Sequence, residues 1–312
     1  MTSAKPAIVI SDLTKSFGDL LAVNRLTFQV QPGEIFGLVG PDGAGKTTAL
    51  RMLAGVLTPS DGAIEVAGCD VRQSPEQAKH FLGYMPQRFG LYEELTVDEN
   101  IRFYADLFGV SANDRETQSN RLLVAAGMAE FRRRYAGKLS GGMKQKLGLV
   151  CALIHTPQVI LLDEPTTGVD PVSRRDFWKI LYQLALEGVT ILTSTAYLDE
   201  AERCHRVALL RDGRLLFCDT PANLKANLKK SVVAVISPDP RRVRGVVENA
   251  GGISSLVLRG DGVHLLVDDA DQRIPEIKSR LTQQSVPFDD IALTTPSIED
   301  IFVETVTSGG EQ

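Results

Sequence analysis

Short apolar runs alternate with amphipathic stretches through about the first 220 residues of the chain. The short runs consist almost entirely of apolar and β-branched side chains, which is typical of strands buried in a sheet. The longer stretches have the periodicity of helices with one buried face. This alternation predicts a layered α/β domain. The predicted strands are Ala7 to Ile10, Ile35 to Val39, Val159 to Leu162, Thr190 to Thr193 and Val207 to Leu210.

A helical stretch interrupts this alternation between Gln87 and Ser140. Thr96, followed three residues later by Glu99, forms a capping box and predicts the start of a helix. We therefore expect a small helical subdomain over about residues 88–150. The apolar side chains at helical spacing after the capping box are Ile101, Tyr104, Leu107 and Phe108.

Beyond about residue 225 the pattern becomes that of a βαββαβ unit, which predicts a separate small α+β domain. We expect the two domains to span residues 1–225 and 226–312. The predicted elements of the second domain are a strand at Val232 to Ile236, a helix near Arg241 to Asn249, a hairpin at Leu256 to Val267 and a helix near Ile274 to Leu281.

The chain is predicted to close with one more helix. Thr295 would cap it and Pro296 would take its first position, where the missing N–H of proline costs nothing. The apolar residues at helical spacing in this segment are Ile298, Ile301, Phe302 and Val306.

Composition narrows the possible functions. Of the 312 residues, 43% are hydrophobic and 23% charged, as in globular proteins, and the net charge of −5 argues against nucleic-acid binding. The four cysteines lie far apart, which fits a reducing compartment and predicts neither a disulfide framework nor a zinc site. No apolar run approaches the roughly 20 residues that span a bilayer, and the first residues carry no signal-peptide pattern. Any function at a membrane is therefore expected to involve another chain.

The segment GPDGAGKTT fits the phosphate-loop pattern G-x-x-x-x-G-K-[ST], directly after a predicted strand and before a helical stretch. Gly43 and Gly45 allow successive N–H groups to face an anion, and the helix N-terminus adds its positive dipole end. Lys46 is expected to reach the β- and γ-phosphates of a nucleotide, and Thr47 to contact Mg²⁺. The alternative is a glycine turn without a ligand. The residues of this loop are Gly40, Pro41, Asp42, Gly43, Ala44, Gly45, Lys46, Thr47 and Thr48.

Two acidic residues end the predicted strand at Val159 to Leu162. Asp163 suits the Mg²⁺ shell, and Glu164 suits the polarisation of an attacking water. Paired carboxylates after a strand are common, so they indicate an ATPase only in combination with the phosphate loop.

Between these two motifs the chain reads LSGGMKQ, and here it resembles the ATP-binding subunits of ATP-binding-cassette (ABC) transporters, whose signature is LSGGQ. Met143 departs from the usual glutamine but leaves Ser140, Gly141 and Gly142 intact. These three residues form a helix start suited to a phosphate, which in the family belongs to ATP held by the other subunit. The resemblance implies a P-loop NTPase core of the ABC ATPase type and binding of ATP and Mg²⁺.

Other residues gain roles from the same resemblance. Phe17 matches the aromatic side chain that stacks on adenine, although an isolated phenylalanine is more often part of a core. Gln87 matches the glutamine that senses Mg²⁺ and the attacking water, so the resemblance places it with Lys46 and Glu164 among the catalytic residues. Asp170 lies in a segment that resembles the loop crossing to the opposing site.

The resemblance also suggests partners. The segment Ile298 to Phe302 and the C-terminal domain look like those of subunits that serve ABC-2-type exporters, and the segments around the phosphate loop and Gln87 are especially similar to the first half of tandem-cassette multidrug export ATPases. The implied partners are an ABC-2-type transmembrane permease and a second ABC ATPase subunit, at the cytoplasmic face of the membrane. Arg88 to Tyr92 match the region that touches the permease, and a core role for Phe89 and Tyr92 is the alternative.

Two further residues depart from the family pattern. Ala196 takes the place of a histidine that hydrogen-bonds the γ-phosphate. The next histidine, His205, is nine residues further on, and if this stretch is helical it lies about 13 Å away along the axis, too far to replace it. Asp42 stands where asparagine is commoner, so its carboxylate either repels phosphates or points outward.

The loss of the histidine predicts a slow site on this chain. We therefore expect a heterodimer whose second cassette keeps its histidine and uses Ser140 to Gly142 and Asp170 of this chain. The alternatives are a homodimeric exporter ATPase with low turnover and a non-transport ABC ATPase. A repair-type cassette is disfavoured because the 94 positions from Lys46 to Ser140 leave no room for its long coiled coil. The C-terminal domain is expected to stabilise or pair the subunit, with a small-ligand sensor as the alternative.

Overall fold

The computed structural model describes residues 5–88, 90–248 and 250–308, with side chains through residue 305. The chain forms two compact units. The first comprises the chain up to Tyr197 together with Cys204–Cys218, and the second comprises Leu198–Arg203 and the chain from Asp219 onward. The sequence places the boundary near residue 225, whereas the units divide just before Asp219.

The first unit contains ten strands and six α-helices within the described residues. Its strands are β1 (Ile8–Phe17), β2 (Leu20–Val30), β3 (Ile35–Val39), β4 (Asp61–Val66), β5 (Cys69–Asp70), β6 (Leu82–Met85), β7 (Val159–Asp163), β8 (Thr190–Thr195), β9 (Arg206–Arg211) and β10 (Arg214–Asp219), the last of which ends in the second unit. Its helices are α1 (Lys46–Leu53), α2 (Pro75–Phe81), α3 (Val97–Leu107), α4 (Ala112–Ala125), α5 (Gly141–Leu153) and α6 (Pro171–Leu186).

Two sheets form the framework of this unit. The larger has the order β10-β9-β3-β8-β7-β6, and β3 pairs in parallel with β8 and β9, as β7 does with β6 and β8. The smaller has the order β2-β1-β4-β5 and is antiparallel. The fold is therefore the mixed α/β architecture that the alternating pattern predicts.

The core of this unit joins the two sheets and α1. Every residue of β3, β7 and β8 is buried, which explains the nearly continuous apolar sequences of β3 and β7. Phe28 of β2 and Phe36 of β3 stack with their ring centroids 4.9 Å apart. Leu50 of α1 belongs to the same buried cluster. This packing holds α1 close to the end of β3, and the phosphate loop lies between the two.

The helical stretch forms α3, α4 and α5, as the sequence predicts. The capping box is present: Thr96 Oγ1 accepts a hydrogen bond from Glu99 N, and Glu99 Oε2 accepts one from Thr96 N. Buried Asn100 exchanges hydrogen bonds with the Tyr92 backbone, which holds the loop before α3 against that helix.

The second unit has the predicted βαββαβ order. Its elements are α7 (Leu198–Ala201), α8 (Pro221–Ala226), β11 (Ser231–Ile236), α9 (Pro240–Val247), β12 (Ile253–Leu258), β13 (Gly262–Val267), α10 (Ala270–Gln283), β14 (Asp290–Thr294) and α11 (Ile298–Ser308). The antiparallel sheet has the order β12-β13-β11-β14. Apolar residues of α9, α10 and this sheet share one core. The prediction for α9 extended to Asn249, which lies outside the described residues.

The prediction for the last helix is wrong at its start. The helix begins at Ile298, after both Thr295 and Pro296. Ser297 Oγ accepts a hydrogen bond from Asp300 N, and Asp300 Oδ2 accepts one from Ser297 N at 2.8 Å. This reciprocal pair satisfies two N–H groups at once, and a threonine two residues earlier cannot do so. The side chain of Val306 lies outside the described residues.

Residues 198–203 belong to the second unit because their side chains bond within it. Glu202 Oε1 accepts a hydrogen bond from Ile298 N at 2.8 Å, and Glu202 Oε2 pairs with the Lys225 ammonium. The helix α11 also packs against α7 and α8. These contacts join the segment after β8 to the last helix of the chain.

Candidate nucleotide site

A cleft of about 690 Å³ opens in the first unit beside the carboxyl ends of β3, β7 and β8. Parallel strands deliver their carboxyl ends to one edge of the sheet, so residues distant in sequence meet there. The cleft is lined by Phe17, Leu20, Ala22, Asp42 to Thr48, Gln87, Glu164, Thr167, Ala196 and Tyr197.

The phosphate loop has the backbone that its glycines permit. Gly43 and Gly45 adopt φ values of 79° and 98°, a region that side chains disfavour. A Cβ at Gly45 would lie 2.5 Å from the Ala22 oxygen, and a Cβ at Gly40 would lie 2.3 Å from the Leu210 oxygen. Gly40 and Gly45 are therefore required by close backbone approach, while Gly43 is required by its conformation alone.

Lys46 is the first residue of α1, and its side chain is only 4% exposed. Its ammonium donates to the Gly40 oxygen at 2.8 Å and to the Pro41 oxygen at 3.0 Å. It also lies 3.2 Å from Glu164 Oε1, with which it forms an ion pair. The lysine thus folds back over its own loop and carries a carboxylate as its counter-ion.

Thr47 and Asp163 form the part of the site that could hold a divalent cation. Thr47 Oγ1 donates to Asp163 Oδ1 at 3.0 Å, and Ser194 Oγ donates to the same atom at 2.8 Å. Burial raises the pKa of Asp163, and the two hydroxyl groups oppose that rise. A hydroxyl and a carboxylate at this distance are the hard oxygen ligands that Mg²⁺ prefers, so the residues fit the ion.

Glu164 lies next to the cation ligands and has a different set of partners. Gln87 Nε2 donates to Glu164 Oε2 at 3.0 Å, and Thr167 Oγ1 donates to the same oxygen at 3.3 Å. Its backbone has a φ of 47°, and its N–H donates to Ser194 Oγ at 2.9 Å. The structure therefore brings Lys46, Thr47, Gln87, Asp163 and Glu164 together.

Phe17 and Asp42 lie at the wall and rim of the cleft. Phe17 is 49% exposed, so the alternative of a core phenylalanine is wrong. The Lys15 ammonium lies 5.1 Å from the centroid of its ring. Asp42 is exposed, as the outward-facing interpretation requires.

The signature residues and Asp170 do not line this cleft. Ser140 is the exposed N-cap of α5, where its Oγ accepts from Met143 N, and Gly141 and Gly142 are the first two residues of that helix. Asp170 caps α6 by accepting from Val172 N and Ser173 N at 3.1 and 2.9 Å. These hydrogen bonds lower the pKa of Asp170, with that from Ser173 N the largest cause.

Ala196 lines the cleft with an exposed methyl group. His205 does not come near it through its ring, because His205 Nδ1 accepts from Ile35 N at the opposite end of β3 from the phosphate loop. The ring of His155 stacks on Phe108, and His264 pairs with Asp300 in the second unit.

Sequence reasoning missed Ser194 and Thr167 as members of the site. Ser194 is fully buried and bonds to the Asp163 carboxylate and the Glu164 N–H, and Thr167 lines the cleft. A signal was present, because the strand β8 is buried throughout yet ends in three consecutive hydroxyl residues, Thr193 to Thr195. Buried hydroxyl groups require partners, so such a run at the carboxyl end of a central strand indicates a polar site.

Two kinds of feature are absent from the described parts of the chain. No group of three or more His, Cys, Asp or Glu side chains there could hold a metal ion. Within the same residues, no helix combines the length and apolar character needed to cross a membrane.

Comparison with known proteins identifies the family. Residues 23–167 match the family described as ABC transporter. The Nod factor export ATP-binding protein I of Burkholderia thailandensis is 38% identical over 275 residues, which cover 88% of this chain and 90% of that protein. The chain belongs to the ABC transporter ATP-binding proteins. The family resemblance inferred from the signature and phosphate loop is thereby confirmed.

Other relatives of this ABC protein agree. A probable multidrug ABC transporter ATP-binding protein of Escherichia coli is 42% identical over 307 residues, or 97% of this chain and 52% of that protein. The chain thus spans about half the length of this relative. A solved ATP-binding subunit of an ABC transporter has a TM-score of 0.64 and 31% identity, covering 70% of this chain and 92% of its own. A dimeric bacterial ABC transporter cassette, at 24% identity and a TM-score of 0.62, supports the fold.

Proposed function

We propose that this chain is the ATP-binding and ATP-hydrolysing subunit that powers a membrane exporter. The observation that carries the proposal is the convergence of Lys46, Thr47, Asp163 and Glu164 at one end of a nucleotide-sized cleft. The names of the relatives, which concern multidrug transport and Nod factor export, support an exporter. The membrane partner would select the class of compound that is exported.

The residues of the cleft have complementary chemical roles. In the proposed complex Lys46 moves from Glu164 to the β- and γ-phosphates, and the loop N–H groups bind the same anion. Thr47, Asp163 and Gln87 would hold Mg²⁺, which neutralises charge on the phosphates when bound. Glu164 would then accept a proton from the attacking water, oriented by Gln87 and Thr167. Phe17 would stack on adenine.

The partners follow from the residues outside the cleft. Ser140 to Gly142 and Asp170 would complete the nucleotide site of a second ABC ATPase subunit. The surface next to Gln87 would contact an ABC-2-type permease, which would place the chain at the cytoplasmic face of the membrane. Tyr92 and Phe103 support this, because both side chains are at least 40% exposed and their rings contact edge to face. Residue 89 lies outside the described residues.

The pairing is proposed to be heterodimeric because Ala196 lacks any hydrogen-bonding group. A second cassette with a histidine at this position would supply the faster site, and the site of this chain would mainly hold the pair closed. A homodimer with low turnover is the second candidate, favoured by the complete set of the other site residues. The C-terminal unit is proposed to stabilise or pair the subunit.

The test is nucleotide binding and turnover by the full chain together with its co-expressed membrane and cassette partners. Lys46→Ala is expected to weaken binding of a fluorescent ATP analogue at least 10-fold, and Glu164→Gln to keep binding while abolishing turnover at this site. Lys179→Ala is the control, because its ammonium pairs with Asp176 outside the cleft. Unchanged binding and turnover in Lys46→Ala would refute the proposed function.

A further inference from the structure

Ser194 is the buried hydroxyl residue that touches both acidic residues of the nucleotide site. It lies on β8, two positions before Ala196, and has no exposed surface. Its Oγ lies 2.8 Å from Asp163 Oδ1 and 2.9 Å from Glu164 N. One side chain on β8 therefore connects the cation ligand at the end of β7 to the candidate general base that follows it.

The chemistry of the three groups fixes the direction of both hydrogen bonds. An ionised carboxylate can only accept, and a backbone N–H can only donate. The single hydroxyl proton of Ser194 must therefore go to Asp163, and its oxygen lone pair must accept from Glu164. The hydroxyl is used as donor and acceptor at once, a function that a methyl or thioether side chain cannot provide.

The hydrogen bond between Ser194 and the Glu164 N–H holds a backbone conformation that non-glycine residues disfavour. Glu164 adopts a φ of 47°, in the left-handed region that costs a non-glycine residue free energy. Lys46 and Gln87 contact only its carboxylate, and Thr167 contacts that carboxylate and, through its own N–H, the Glu164 carbonyl oxygen at 3.2 Å. Each of these groups is also expected to change partners or contact ligand when nucleotide binds, whereas the buried Ser194 stays in place. The hydrogen bond that the Glu164 N–H donates to Ser194 Oγ is therefore suited to maintain the orientation of Glu164 after Lys46 leaves.

We propose that Ser194 is a positioning residue for hydrolysis, which fixes the Glu164 backbone and the Asp163 carboxylate relative to each other. This inference rests on the roles of Asp163 and Glu164 in the proposed function. Loss of the hydroxyl would let both carboxylates shift, and misplacement by a fraction of an ångström to an ångström costs up to about 100-fold in rate. The phosphate loop does not bond to Ser194, so nucleotide affinity without metal is unaffected.

The experiment uses the full chain, three substitutions of Ser194, one control substitution and Glu164→Gln. Ser194→Ala removes the hydroxyl, Ser194→Thr keeps it, and Ser194→Val matches threonine in shape without it. The control is Thr190→Val, because Thr190 Oγ1 accepts a buried backbone hydrogen bond from Gly33 at the far end of the same strand. Three quantities are measured for each protein. They are the rate of single-turnover hydrolysis with excess protein, the binding of a fluorescent ATP analogue in EDTA and during Mg²⁺ titration, and the melting temperature.

Ser194→Ala is expected to lower the single-turnover rate constant roughly 10- to 100-fold. Its nucleotide affinity in EDTA stays within about 2-fold, and the Mg²⁺ concentration that half-saturates the fluorescence change rises about 3-fold or more, because a metal ligand has lost its support. Ser194→Thr restores both quantities and Ser194→Val does not. Thr190→Val lowers the melting temperature without changing the rate or the Mg²⁺ requirement.

An unchanged rate in Ser194→Ala, or an equal rate loss in Thr190→Val, overturns the proposal. If the larger side chains prevent Ser194→Thr and Ser194→Val from folding, the rates of Ser194→Ala and Thr190→Val are compared at assay temperatures equally far below their melting temperatures. Glu164→Gln separates the two levels of inference. Full activity in Glu164→Gln would refute the role of Glu164, whereas an inactive Glu164→Gln beside a fully active Ser194→Ala would refute Ser194 alone.

Discussion

The methyl group of Ala196 borders the cleft at the end of β8. The cleft is also lined by side chains that donate or accept hydrogen bonds, such as Gln87 and Thr167, and a methyl group does neither. His205 is committed to the Ile35 N–H and leaves the position unfilled. The site therefore lacks one hydrogen-bond donor at position 196, and His205 does not replace it.

We expect Ala196→His to raise single-turnover hydrolysis at this site about 10²-fold, because one positioned donor to a developing charge has this effect. Nucleotide affinity should change little. The comparison variant is Ala196→Leu, which adds bulk without a donor and should not raise the rate. An equal rate in the three proteins would mean that the residue at 196 does not set turnover.

Site residues could be predicted from the sequence when they belong to a local motif that specifies both the residue type and the backbone conformation. Lys46, Thr47, Asp163 and Glu164 were found because the loop and the strand end are local patterns. The ion pair between Lys46 and Glu164 and the bridge made by Ser194 depend on which strands are neighbours. β7 and β8 pair in register only in the folded sheet, so no local pattern could place Ser194 beside both the Asp163 carboxylate and the Glu164 N–H.

Helix starts are the elements where sequence patterns and structure can be compared most directly. The capping box at Thr96 and the serine before α5 were read correctly because each cap bonds within its own first turn. The start of α11 was misplaced because the predicted cap is Thr295, whereas Ser297 forms the capping pair with Asp300. His264 and Arg259 from the β12–β13 hairpin lie beside the Asp300 carboxylate.

We expect Asp170→Ala to lower the melting temperature by about 2 °C, since it removes the side chain that accepts from two N–H groups at the start of α6. Asp170→Asn should lower it less, because the amide oxygen still caps. The pKa of Asp170 is lower in the folded state, so the carboxylate stabilises above about pH 4 and this stabilisation is lost as pH falls through the folded pKa. Melting curves from pH 7 to pH 3 should show the wild-type and Ala proteins converging. A constant difference at all pH values would contradict a charged cap.

The whole molecule consists of two units that interleave along the chain. The sequence located the change of pattern but assigned residues 198–203 to the first domain, because a four-residue helix carries no periodicity of its own. Their place in the second unit depends on the bond from Ile298 N to Glu202, which joins residues about a hundred positions apart. Only the folded chain brings these groups together.

In the proposed heterodimer, Ser140→Ala should slow total ATP turnover of the mixed pair at least 10-fold, because this serine would bind the phosphate at the partner's fast site. The isolated chain should turn over slowly with or without the substitution. Ser111→Ala is the matched control, since Ser111 caps α4 through the same kind of bond, to Asp114 N. High turnover by the isolated chain, or equal slowing by both substitutions, would argue against the heterodimer.

The ion pair between Lys46 and Glu164 links the stability of the subunit to its proposed affinity for ATP. Each charge is the buried counter-ion of the other. In the proposed function the same ammonium group binds the phosphates, so the two pairings would compete for it. A change that strengthens the internal pair is therefore expected to give a more stable subunit with weaker affinity for ATP, and a change that weakens the pair is expected to do the reverse.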